Sequence, residues 1–342
     1  MGLIDTITSG FRLVQRRPWL MILPIVIDLW FWLGPHLSVT GLINSTISLL
    51  SPAALPPEMA GMMVPYHEML AEVGQRFDLW WLLDNELTWF NLLLPGLVDP
   101  ARLGSRAGSD LSSANVLLLA PLLLILGVGL GSAFLTTIVS QLEAISRESR
   151  ESDEADTGDE VPATTLAFWL KRGLRTWGLL VVYGLILLLL AVAFLVFLSL
   201  GLTVVLLIMP GISAAVSALL VLLVGSAFFW VYLMLYFVAA ALVTDGVGLP
   251  QALWQSIIVV SKDLWSTLGL VVLVSVILLG FGFIWQRLAV FSPIGVLIGI
   301  AGNALLLTGL TAARLIFYQD RYAQWQETLA AQEATVVPPA KT

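Results

Sequence analysis

Apolar residues fall along this chain in long runs separated by short clusters of charge, and only a few stretches show the three-and-four spacing of an amphipathic helix. A helix needs about 20 apolar residues to cross about 30 Å of hydrocarbon. Six runs match that requirement, at residues 19–37, 116–139, 177–209, 212–243, 267–291 and 293–318. Between 177 and 243 there is no charge at all, so this stretch divides into two spans or three. Pro210-Gly211 is its one strong breaker and favours two long helices.

Three amphipathic stretches precede these runs, each closed by charge and a tryptophan. Leu3, Ile7, Phe11 and Val14 share a face before Arg17-Pro18-Trp19. Leu166, Trp169, Leu170 and Leu174 do so before Trp177, with Lys171, Arg172 and Arg175 off the stripe. Leu253, Ile257, Val260 and Leu264 do so around Lys262-Asp263-Trp265. Such segments lie in the interface with tryptophan at headgroup depth. The pattern of interfacial helix, span, outer loop and span then occurs three times in the same direction, as in a parallel repeat. The alternative is the ordinary basic-aromatic flank of any polytopic protein, and both readings stay open.

Composition sharpens the class. The chain is 58% hydrophobic and 11% charged, against about 25% charged in soluble proteins. Mean hydropathy is +0.94. A net charge of -7 argues against a nucleic-acid partner. The absence of cysteine excludes disulfides, thiolate metal sites and cysteine nucleophiles, and two histidines leave little for metal chemistry. With six spans and the N-terminus inside, twelve Lys and Arg residues fall on inner segments and four (Arg76, Arg102, Arg106 and Arg287) on outer ones. By the positive-inside rule both termini are cytoplasmic. Arg12, Arg16 and Arg17 ahead of an apolar run imitate a signal peptide, but Gly34-Pro35-His36 is a poor cleavage site, so the first helix is read as retained. Met1-Gly2 with Thr6 fits a myristoylation pattern that has meaning only in eukaryotic-type cells.

The run "FVAAALVTDGVGLPQALWQSIIVVSKDLWSTLGLVVLV" and the ending "LIFYQDRYAQWQ" resemble a group of bacterial six-helix membrane proteins. That group includes the membrane domain some bacteria attach to a glycerophosphoryl diester phosphodiesterase. The shared features are a Gly-Pro helix start, charge before tryptophan, and Tyr318, Asp320 and Arg321 near the end. The resemblance implies a fold and a bacterial-type plasma membrane location. It implies no phosphodiesterase activity, because the catalytic barrel domain has no counterpart here.

The expected organisation is all-α: a polytopic transmembrane bundle of about six spans with interfacial amphipathic helices and a long helical outer loop. Residues 1–18 form a cytoplasmic amphipathic helix, 19–139 a first hairpin with an outer segment at 40–113, and 140–163 an acidic cytoplasmic linker. A four-span bundle follows at 164–318, with a tail at 319–342. In the outer segment, 78–97 carries Trp80, Trp81, Trp89 and Phe90 among leucines and reads as a helix lying on the leaflet or capping the bundle. Seven acids between Glu148 and Glu160, with few apolar residues, read as a disordered solvated linker without calcium-loop spacing.

Ionisable groups at membrane depth cost about 2.5 kcal/mol or more and are functional suspects. Asp28 is the one acid inside a span, four residues after Pro24, and Asn303 is the other strongly polar group at depth. Coupling to a proton or cation, a structural hydrogen bond and a shallow interfacial position compete for Asp28. The structural readings carry more weight, since transport sites need more than one carboxylate or a matching cation. Arg287 and Arg314 are expected to snorkel to headgroups. Gly127 with Gly131, and Gly295 with Gly299, have the spacing that lets helices approach. No HExxH, P-loop or GxSxG occurs, and His67 with Glu68 and Glu72 makes a poor metal site. The expectation is a non-enzymatic protein with no cofactor that organises lipid or assists partners. The alternative is a transporter or lipid-translocating protein with a cavity near Asp28. The lipid bilayer is the expected partner, nucleic acid is not, and membrane-protein partners and oligomeric state are left open.

Overall fold

The computed structural model describes residues 2–49, 67–74, 77–84, 86–93, 108–153, 166–208 and 213–336. The described chain is overwhelmingly helical: α1 (Leu3–Arg16), α2 (Ile22–Leu33), α3 (Thr40–Leu49), α4 (Ser113–Asp153), α5 (Leu166–Ile208), α6 (Ser213–Met234), α7 (Val238–Thr244), α8 (Leu249–Lys262), α9 (Leu264–Phe291) and α10 (Pro293–Val336). Among the described residues five apolar segments are long enough to cross a membrane: Ser113–Glu148, Lys171–Gly201, Ala218–Thr244, Leu264–Phe291 and Pro293–Gln332.

The first expected span is the exception. It is a 3-10 turn, Pro18–Met21, followed by the twelve residues of α2, about 25 Å in all and short of a bilayer's hydrocarbon. Pro24 falls in the first turn of α2, where its missing N–H would have had no helical partner anyway. α10 begins with Ser292 as N-cap, its Oγ accepting the Gly295 N–H at 3.2 Å, and with Pro293 at the first helical position. The same Ser-Pro pair ends α9.

Several expectations change. α5 begins at Leu166, so the second amphipathic stretch is continuous with its span instead of forming a separate helix. α4 runs through Asp153, so the first acids of the stretch read as disordered, Glu148, Glu151 and Asp153, are helical. The remaining acids, Glu154, Asp156, Asp159 and Glu160, lie outside the described residues, as do Pro210-Gly211, Pro56-Pro57, Pro65, Arg76, Arg102, Arg106 and Lys341.

The chain forms two compact units, one of residues 1–10, 135–274 and 311–342, the other of 11–134 and 275–310. In the second unit the outer segment is only partly helical. Its 78–93 part is not the expected surface helix but two 3-10 turns, Leu79–Leu83 and Glu86–Thr88. Side-chain acceptors replace helical bonding: Asp78 Oδ1 takes the N–H of Leu37 and Trp80, both at 3.2 Å, and Asp84 Oδ1 takes that of Leu92 at 3.1 Å. Leu79, Leu83, Trp89, Phe90, Leu92 and Leu93 are buried. A short parallel ladder joins His36–Ser38 to Gly108–Asp110.

Gly127 and Gly131 receive this segment, not another helix. A Cβ on Gly127 would lie 2.7 Å from the Leu83 carbonyl oxygen, and one on Gly131 would collide with Thr88. Gly299 and Gly302 do serve a helix contact, facing the Trp285 side chain of α9. Gly131→Ala is therefore expected to cost about 1–3 kcal/mol through overpacking. Gly225→Ala, where nothing lies within 4 Å of the new methyl, is expected to be neutral or to stabilise slightly. Thermal unfolding of the two variants in detergent checks this difference.

Candidate functional site

Sequence reasoning singled out Asp28 and Asn303, both in the second unit. α2 turns Pro24, Ile27, Asp28 and Phe31 inward and leaves Ile22, Val26, Trp30 and Leu33 exposed. Asp28 is fully buried, and its Oδ1 and Oδ2 accept the N–H of Leu93 at 3.0 and 3.2 Å. Leu93 itself belongs to an apolar cluster with Val296 and Ile300, against which Ile25, Leu29, Trp32, Trp285 and Ala289 pack. Asn303 donates from Nδ2 to the Asn91 carbonyl at 3.4 Å. The two residues thus serve one three-residue stretch of backbone from opposite senses, one accepting and one donating.

That stretch needs them because it is not helical. Trp89 has φ +56, a left-handed conformation that is costly for a bulky residue. The turn it makes leads into Asn91–Leu93, which belong to neither helix nor strand. A buried N–H without a partner costs about 1–3 kcal/mol, and a carboxylate is the strongest acceptor available to it.

The first unit holds a second polar assembly that the sequence did not announce. The Arg172 guanidinium donates from both terminal nitrogens to Glu143 at 3.1 Å. Through Nη2 it also donates to the carbonyls of Val243 at 2.8 Å and Thr244 at 3.0 Å. These carbonyls end α7, where a cation also suits the helix dipole. Asp245 follows, accepting the Tyr318 hydroxyl at 2.7 Å. Gln255 Nε2 donates to the Tyr322 hydroxyl at 2.7 Å, and Arg321 lies 3.7 Å from Asp263. Ser256 bridges the break between α6 and α7, accepting from Phe237 N–H at 3.1 Å and donating to the Met234 carbonyl at 2.8 Å. Arg314 is buried over the Tyr236 ring at 5.6 Å, not snorkelling outward as expected.

Residue Asp245 is exposed, yet its carboxyl faces Tyr318 and loses hydration there. Desolvation raises its pKa above the usual carboxylate value, while the Tyr318 hydrogen bond and the Arg172 charge pull in the opposite direction. Beside it lies a pocket of about 440 Å³ whose lining includes Lys171, Arg172, Arg175, Thr244 and Gly246. Among the described residues no group of three or more histidine, cysteine or acidic side chains could hold a metal ion.

The stripe of Leu253, Ile257, Val260 and Leu264 is part-buried, with Val260 fully so, and the packed face of α8 extends beyond it. Buried there are Ala252, Gln255, Ser256, Val259 and Val260, while Trp254 is 63% exposed. Gln255 and Ser256 were missed because an apolar stripe points to lipid as readily as to a core. Arg172 was legible only as one positive charge among twelve. The one available hint was the charged-aromatic ending, since Tyr318 and Arg321 both join the assembly.

Replacing Arg172 with alanine is expected to cost about 1.5–3 kcal/mol, the range for hydrogen bonds to charged groups. Lysine should not restore it, because a single ammonium cannot form the planar fork. Thermal melting of both variants measures this. Asp28→Ala should lose about 1–3 kcal/mol, and Asp28→Asn less, because one acceptor oxygen remains for Leu93. For Asp245 the folded chain holds the proton more tightly than the unfolded chain. Its contribution to stability therefore declines as pH rises from the ordinary carboxylate range to the raised value. Asp245→Asn should flatten the part of a melting-temperature profile that lies just above the ordinary carboxylate range.

No protein-family model, curated protein or solved structure matches the chain.

Proposed function

We propose that this chain is a six-crossing, non-enzymatic membrane protein that organises lipid or supports partner proteins, with both termini in the cytoplasm. The observation that carries the reading is Asp28. Its carboxyl accepts the N–H of Leu93, a member of an apolar cluster, which is the behaviour of an anchor for the outer segment. The transport alternative would use the same carboxyl for a proton or cation, and a fully buried group with both oxygens already turned to the Leu93 N–H favours the first reading.

The Arg172 assembly supports the count of crossings. The start of α5 and the end of α7 meet at one guanidinium, so the chain between them returns to the level it left, as two crossings require. Glu143 places the end of the α4 apolar run at that level, and Tyr318 with Asp245 brings α10 to it. Pro18–Leu33 supplies the remaining, shorter crossing, flanked by Arg16, Arg17 and Trp19. The resemblance to bacterial six-helix membrane proteins agrees with this layout and suggests a bacterial-type plasma membrane.

Reporter fusions after residue 160 and at the C-terminus are both expected to read as cytoplasmic. An external C-terminus would overturn the six-crossing reading. Lipids and proteins copurifying after gentle extraction should be unchanged in Asp28→Asn. If that variant instead abolished cation- or proton-driven uptake in reconstituted vesicles, the transport alternative would replace the proposal.

A further inference from the structure

Where α5 begins and α7 ends, the pocket combines several groups that favour an anion. Lys171 and Arg175 are four residues apart on α5, hence on one face of the helix, and both are exposed. Among the described residues neither makes a hydrogen bond or ion pair. Like charges at this spacing repel, so the wall they form is electrostatically incomplete. Arg172, between them in sequence, is already engaged by Glu143 and two carbonyls.

The opposite wall is backbone. Asp245 is right-handed, with φ -90 and ψ -12, and Gly246 is left-handed, with φ +61. Successive residues of these two kinds turn their N–H groups into one concavity, an arrangement that binds anions. Among the described residues the N–H groups of Gly246 and Val247 have no hydrogen-bond partner, unlike the usual glycine-terminated helix, in which they bond back to the last turn. Thr244 Oγ1 in the same lining is buried and also has no partner. Two acids border the pocket. Glu143 is bound to Arg172 and Asp245 to Tyr318, so both are engaged by donors of the protein.

We propose that this pocket binds a phosphate group, held between Lys171 and Arg175 on one side and the Thr244–Val247 turn on the other. The phosphate belongs either to an anionic lipid headgroup or to a free phosphate ester. The proposal rests on reading the chain as a membrane protein, because the lipid source requires these helix ends to lie at headgroup depth, where basic pockets take up anionic lipids. A phosphate oxygen set matches the site. Guanidinium and ammonium supply charge-assisted donors, and the turn supplies backbone N–H groups and a hydroxyl.

The test uses the full chain in a neutral detergent, titrated separately with short-chain phosphatidylglycerol and with inorganic phosphate, and read by the shift in melting temperature. Wild type is expected to respond to at least one. A response to phosphatidylglycerol alone assigns the lipid source, and a response to inorganic phosphate assigns the free one. The double variant Lys171→Gln, Arg175→Gln should weaken the response at least tenfold. Lys262→Gln, at the end of α8, should leave it unchanged. The unliganded melting temperature of the double variant, expected to match wild type because neither side chain has a bond to lose, separates lost binding from lost folding. A wild type that responds to neither probe overturns the proposal, as does a double variant that responds like wild type. Binding in detergent does not depend on orientation, so an external C-terminus in reporter fusions would refute the membrane topology without touching this result.

Discussion

A peptide group that leaves a helix away from water must still find a partner, and this demand organises both units of the protein. In one unit the exposed backbone is Asn91–Leu93, and Asp28 and Asn303 complete it. In the other it is the end of α7, and Arg172 completes it. Arg172 serves two carbonyls at once, whereas Asp28 turns both oxygens to one N–H and the neutral Asn303 serves the neighbouring carbonyl. The helices themselves need no such help, since their hydrogen bonds are internal.

The distribution of burial follows from the same physics. The apolar segments of α5 and α6 leave most of their large side chains exposed, among them Leu189, Leu195, Phe197, Leu222 and Phe228. α10 is the reverse, with Ala304, Leu307, Leu310, Ala313, Leu315 and Phe317 buried. Helix propensity does not distinguish them. Nor does the presence of glycine, since Gly173, Gly178, Gly201 and Gly225 of α5 and α6 meet nothing within 4 Å; what differs is that Gly299, Gly302 and Gly309 of α10 are closely approached by Leu93, Trp285 and Phe11.

What could be read beforehand depended on whether the signal was local. Lengths of apolar runs are local, and five long helices appear where runs were marked. Depth of burial at Asp28 was also legible, because one acid in an apolar run stands out. Its partner was not, since Leu93 is sixty-five residues away and contributes only a backbone N–H, which has no residue type. On α8 the apolar stripe could not show that the polar Gln255 and Ser256 are buried next to it, because their burial depends on partners distant in sequence, Tyr322 for Gln255 and the α6–α7 break for Ser256. The glycine pairs were informative about close approach but not about what approaches, which in the case of Gly131 is Thr88.

Arg172 is separated from its carbonyl partners by more than seventy residues, and that gap orders events during synthesis. When Arg172 leaves the ribosome, Glu143 is already made but Val243 and Thr244 are not. In that interval the guanidinium lacks the two carbonyl acceptors that it has in the folded chain. Once the hairpin of α5 and α6 has returned, the same group becomes a clasp that closes it. The residue that opens the hairpin therefore also closes it, and this clasp cannot form until the chain has come back as far as the end of α7.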